Sequence, residues 1–278
     1  MNKRFFVLLM LCICTLVVMG QDVINRQKKH NTTPTTLNKT KPTPKQGNNK
    51  TFTVGDVSFT MVYVEGGTFT MGGRIEQNGE ANNDEKPTHS VTLSSYYIGE
   101  TEVTQGLWQA VMGSNPSSFT GDSCLPVENV SWEDCQTFIS RLNSLTGQQF
   151  KLPTEAQWEY AARGGSRSYG YKYSGSNDLD SVAWYYHNSS NKTHPVKTKQ
   201  PNELGLYDMS GNVWEWCQDW YGDNSNSSQT NPVGPSSGSS RVYRGGSWSS
   251  GAMRCRSSYR SSRTPSRRLD ILGLRLAL

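Results

Sequence analysis

The stretch Gly205-Leu206-Tyr207-Asp208-Met209-Ser210-Gly211-Asn212-Val213-Trp214-Glu215-Trp216 most restricts what this chain can become. Two tryptophans bracket a glutamate, directly behind an aspartate and a Gly-Asn pair. Large aromatic rings seek burial, whereas carboxylates leave water only when they are paired or coordinated. The stretch therefore reads as a loop pinned by aromatic burial, with oxygen ligands held in fixed positions. Beyond Arg163, Gly, Ser, Asn and Tyr dominate. Regular elements there must be short, and the chain needs buried aromatics, disulfides, side-chain bonds or ions to hold it.

The start of the chain has a different chemistry. Residues 1–20 read as a signal peptide: Lys3 and Arg4 precede an almost wholly apolar run from Phe5 to Met19. That run is short for a membrane span, so cleavage is expected and no transmembrane anchor should remain. Residues 21–50 carry seven Lys or Arg against one Asp and almost no bulky apolar residue. They read as a disordered basic linker. From Thr51 onward there are nineteen Lys plus Arg against twenty-two Asp plus Glu, so the basic overall charge does not point to nucleic acid. Within that part, residues 241–278 hold nine arginines and one Asp, and the rest is acidic. Residues 51–278 are enough for one large domain.

Four cysteines lie beyond the signal: Cys124, Cys135, Cys217 and Cys255. An exported chain is expected to oxidise them, and four cysteines allow three pairings. Cys124 with Cys135, and Cys217 with Cys255, is the expected arrangement. No CxxC pair and no histidine cluster suggests zinc.

Local signals place the elements. Val57–Met71 alternates around Glu65-Gly66-Gly67 and predicts a β-hairpin, and a strand is expected over Val91–Ile98. Thr104 should cap a helix over Gln105–Met112. Ser131 with Asp134, and Thr154 with Gln157, form capping boxes for two more helices. Val242–Ser247 and Leu272–Ala277 read as strands.

Six segments in order then resemble one family. They are Met61–Gly72, Pro126–Trp132, Lys151–Arg163, Gly205–Trp216, Arg244–Trp248 and Leu272–Leu276. Together they look like the formylglycine-generating enzyme, or sulfatase-modifying factor, domain. The resemblance implies an irregular α+β fold, related to C-type lectins and low in regular secondary structure. It also implies a copper ion held by two cysteines that oxidises a sulfatase cysteine to formylglycine. Those positions fall near Ser249 (or Trp248) and on Ala252, and no cysteine stands at either. Linear copper coordination wants two thiolates, so copper is not expected. The resemblance further places Ca²⁺ on the side chains of Asp208 and Glu215 and the carbonyls of Gly211 and Val213, a ligand set suited to that hard cation.

The arginine-rich ending has two readings. Its arginines can pair with the acidic remainder of the domain. Alternatively Trp248, Arg254, Arg256, Tyr259 and Arg260 line a groove for a protein, peptide or glycan ligand. The expected function is a periplasmic or secreted, non-oxidising binding or structural module. The alternative is a sulfatase-maturation factor with atypical ligands.

Overall fold

The computed structural model describes residues 48–73 and 81–278. The expected signal and most of the expected linker lie outside the described residues. All described residues belong to one compact unit spanning residues 41–278.

The described strands form three small sheets. β1 (Lys50–Val54) and β2 (Val57–Val64) make a tight hairpin at Gly55, whose φ is +57°, and β2 continues to β5 (Tyr96–Gly99). β3 (Gly67–Met71) pairs antiparallel with β4 (His89–Leu93), which runs parallel to the two-residue β7 (Gln229–Thr230). The third sheet has the order β10 (Leu272–Leu274), β6 (Trp214–Trp220), β8 (Arg241–Arg244), β9 (Arg260–Arg263).

The hairpin expected over Val57–Met71 does not form, because β2 and β3 enter different sheets. Gly66 makes the crossing. A Cβ there would lie 2.5 Å from the Leu93 carbonyl oxygen and 2.7 Å from the Ser95 nitrogen, so only glycine passes this close to the facing backbone. The single strand expected over Val91–Ile98 is likewise two strands, β4 and β5.

The helices follow their local signals. α1 (Gln105–Met112) is capped by Thr104, which accepts from the Leu107 amide. In α2 (Trp132–Thr146) and α3 (Glu155–Ala162) both capping boxes are reciprocal. α1 and α2 stop at Gly113 and Gly147, each at positive φ as a left-handed C-terminal cap requires. A one-turn α4 (Leu179–Val182) follows.

The closing segment ties the molecule together. Tyr97 and Leu278 exchange backbone hydrogen bonds, and Ala277 bridges to both Ile98 and Lys151. Among the described residues no helix is long and apolar enough to cross a membrane.

The expected disulfides are absent: all four cysteines are free. Cys124 is exposed while Cys135 lies fully buried in the core that also holds Phe138 and Trp216. Cys217 belongs to the core around Trp158 and Val242, whereas Cys255 packs with Tyr173 and Tyr185 in a third cluster. Burial without a nearby cation pushes the Cys255 thiol up to about 12, so it is inert as well as unbridged.

Candidate functional site

Arginine burial organises the C-terminal third. Arg244, Arg256 and Arg275 are wholly buried, and each meets a carboxylate. Arg256 holds Glu85 in a bidentate pair at 2.6 and 2.7 Å, supplemented by the Ser258 hydroxyl. Arg260 does the same with Glu155 at 2.8 and 2.5 Å. Arg244 and Arg163 share Glu159, whose carboxyl is held down to about 2 by the two guanidinium charges despite its burial. Arg268 pairs with Asp134 at the start of α2.

The structural reading of the arginines therefore holds for Arg256, Arg260 and Arg268. Two residues expected in the ligand groove, Arg256 and Arg260, are buried and engaged with Glu85 and Glu155. Tyr259 is half-buried against Trp214.

What remains at the surface is the short turn after Gly245 and Gly246. Their φ values of +101° and +80° reverse the chain, and a Cβ on Gly246 would strike the Cys255 sulfur at 2.7 Å. Trp248 stands half-buried, its indole donating to the Asp270 carbonyl and set edge-on to Phe119. Ser249 and Arg254 are exposed, and Met253 keeps 47% of its surface in water. Tyr186, 59% exposed, is tied to this turn by its amide bond to the Ser250 carbonyl. The positions implied for catalytic thiols, Ser249 and Ala252, sit here and carry none.

The Asp208–Glu215 stretch is buried throughout. Trp214 and Trp216 open β6 rather than ending a loop, and the glutamate between them lies in a core strand. Its charge is met by Arg275, brought alongside by the parallel pairing of Gly273 with Glu215. The Trp158 indole donates to the same carboxylate at 2.6 Å. Both Glu215 oxygens are thus occupied by donors, and in this arrangement Glu215 does not fit as a calcium ligand.

Asp208 fits better. It accepts the Lys197 amide on Oδ2, while Oδ1 is buried without a partner. Burial raises its pKa to about 6. Glu102, which the sequence reading missed, completes the cluster. It accepts from the Asn212 side chain and the Val213 amide, and burial beside Asp208 and Glu215 pushes its pKa well above the usual carboxylate range. Three buried carboxylates therefore face one guanidinium. Among the described residues no three His, Cys, Asp or Glu side chains are grouped to hold a metal ion, so any cation here would lean on backbone oxygens.

Residues 46–278 match the model of the sulfatase-modifying factor enzyme 1-like domain. The chaperone protein LppX of Paenibacillus barcinonensis is 34% identical, across 73% of this chain and 83% of that protein. The formylglycine-generating enzyme of Streptomyces coelicolor is 31% identical, across 78% of this chain and 88% of the enzyme. Among solved structures, Treponema denticola variable protein 1 superposes with a TM-score of 0.75 at 39% identity, covering 83% of this chain and 98% of that one.

Proposed function

The chain belongs to the family of sulfatase-modifying factor enzyme 1-like domains, and from that premise we propose that it is a non-oxidising, exported member that works as a binding module. One observation carries the reading: Ser249 and Ala252 occupy the positions that the resemblance assigns to the copper-binding thiols. Cys255 offers no substitute, being buried, protonated and in contact with the Gly251 carbonyl through its sulfur. A fold does not dictate chemistry. Here the turn carries an aromatic ring, a thioether and an unengaged guanidinium in place of thiols. Trp248, Met253 and Arg254, with Tyr186 beside them, suit a protein, peptide or glycan surface: rings and Met supply apolar area, and Arg254 supplies directional hydrogen bonds. The chain would act in the periplasm or beyond the cell.

A cysteine-containing sulfatase peptide incubated with the protein, copper and a reductant should yield no aldehyde by mass spectrometry. Formylglycine appearing in amounts proportional to protein would overturn the reading and restore sulfatase maturation. In parallel, ligands found on peptide and glycan arrays should bind the wild type but not Met253→Asp/Arg254→Glu. Both positions are exposed, so the variant should keep its melting temperature.

A calcium ion on Asp208 belongs to the same proposal, supported by the partnerless Oδ1. With Glu215 engaged, its other ligands would be the carbonyls of Gly211 and Val213. Chelation should lower the melting temperature by about 2–4 °C for each kcal/mol that binding contributes. Calcium should reverse this and magnesium should not. Unchanged melting with chelator and with millimolar calcium would remove the ion from the proposal.

A further inference from the structure

A cavity of about 280 Å³ opens between the Met71 end of β3, His89 of β4, the start of α3 and the loops that follow β6. It shares no residue with the Trp248–Arg254 turn and is independent of the function proposed for it. On its polar wall the Arg260 and Asn224 donors are engaged, whereas one nitrogen of His89 is not. Arg260 gives Nε and Nη2 to Glu155, and Nη1 to the Asp84 and Gly222 carbonyls. Asn224 donates its amide to the Pro87 carbonyl.

The acceptors are a different matter. His89 is only 7% exposed, and its Nδ1 has no partner among the described residues. Asp219, 5% exposed, uses Oδ2 to accept the Glu155 amide at the head of α3. Three carboxylates, Glu155, Asp219 and Asp223, line the cavity against the one guanidinium of Arg260.

An anion would face three carboxylates against one guanidinium that is already engaged. A metal ion would want several ligating side chains drawn together, and no such group of three occurs among the described residues. A group that only donates and carries positive charge suits the wall. We propose that this cavity binds a primary ammonium group, with Asp219 as its counter-charge and His89 Nδ1 as a second acceptor. Lys side chains and free amines share that chemistry. An ammonium offers three N–H donors and no acceptor, and Met71 and Pro235 supply apolar wall for the methylenes behind it. Burial, together with the charge of Glu155, holds Asp219 up to about 7. A cation in the cavity would favour its ionised form, alongside Glu155 of α3, Arg260 of β9, His89 of β4 and Asp223 of the loop.

Calorimetric titration of the protein with Nα-acetyl-lysine methylamide and with 1,4-diaminobutane tests this. The Nα,Nε-diacetyl-lysine methylamide serves as the control without charge. Saturable binding is expected for at least one amine and not for the control. Asp219→Asn, which keeps an oxygen for the Glu155 amide, should weaken binding about tenfold, the scale of one charge-assisted hydrogen bond. Asp223→Asn, at an exposed position, should weaken it by a smaller factor even if Asp219→Asn folds poorly. Tighter binding of the lysine derivative would identify a protein side chain as the natural occupant, and tighter binding of the diamine a free amine. No saturable binding at millimolar amine would overturn the proposal. So would equal binding of the diacetyl control, or unchanged affinity in both folded variants.

Discussion

Arg275→Ala is expected to destabilise the domain by about 3–5 kcal/mol, the usual cost of stranding one partner of a buried ion pair. Arg275 and Glu215 are both fully buried. The guanidinium meets the carboxylate through Nε and Nη2, and gives its remaining donors to the Gly99 and Tyr207 carbonyls at 2.8 Å each. Removing it leaves a buried negative charge and two carbonyls deprived of a donor. Asp208 and Glu102 lie close enough to worsen the repulsion, since both interact electrostatically with Glu215. Typical domains have only about 5–15 kcal/mol of stability, so the variant should be partly unfolded near physiological temperature. Glu215→Gln combined with Arg275→Met should recover much of the loss, because the double change removes the stranded charge. Urea unfolding of the three proteins measures this. A midpoint for Arg275→Ala equal to that of the wild type would show that Glu215 is neutralised by something else.

The second large effect is a dependence on pH centred on Glu128. This residue is fully buried in the segment between α1 and α2. One of its oxygens accepts the Phe119 amide. Burial raises its pKa from 4.5 to about 7, with the Asp270 charge adding to the effect. The folded state thus holds the proton more tightly than the unfolded chain. The contribution to stability is fully present below pH ~4.5 and is lost as pH rises through ~7. The difference in unfolding free energy between wild type and Glu128→Gln should therefore shift against the wild type by about 3 kcal/mol between pH 4.5 and 8. Taking the difference matters, because Asp208 and Asp219, raised to about 6 and about 7, titrate in the same window and change stability in the same sense. A difference that stays flat across that range would mean that Glu128 titrates normally.

The sequence shows best what neighbours in the chain decide. The three helix starts follow from Thr104, Ser131 and Thr154, because a cap and the amide it satisfies lie within three residues. The family motifs made the domain recognisable through to its closing strand. The sheets were harder: β2 and β3 alternate like a hairpin, but their partners are β5 and β4, and nothing local states which strand crosses at Gly66. Glu215 was read from the sequence as a calcium ligand in a loop, whereas the structure sets it in a strand against a guanidinium. Its partner Arg275 lies sixty residues away, two residues beyond the Gly273 that faces Glu215 in a parallel pair, a relation that no spacing rule reveals. The same holds for Glu85 with Arg256 and Glu155 with Arg260, separated by 171 and 105 residues. One signal was available: a segment with nine arginines, set against an acidic remainder and interleaved with small residues, has the composition of a buried ion-pair layer as well as that of a binding groove. The cysteines were read from their compartment rather than from their surroundings, and three of them proved to be core residues.

The placement of Arg275 also sets an order in time. Translation delivers Glu102, Asp208 and Glu215 long before it delivers the guanidinium that neutralises them. Until then the carbonyls of Gly99 and Tyr207 have no donor from that quarter. A nascent chain stopped just short of residue 275 would have every described helix and strand encoded, yet would carry three carboxylates without the guanidinium that meets them. Such a chain should stay open rather than settle into a premature compact state. Closure of the structure around Glu215 therefore waits for the delivery of Arg275.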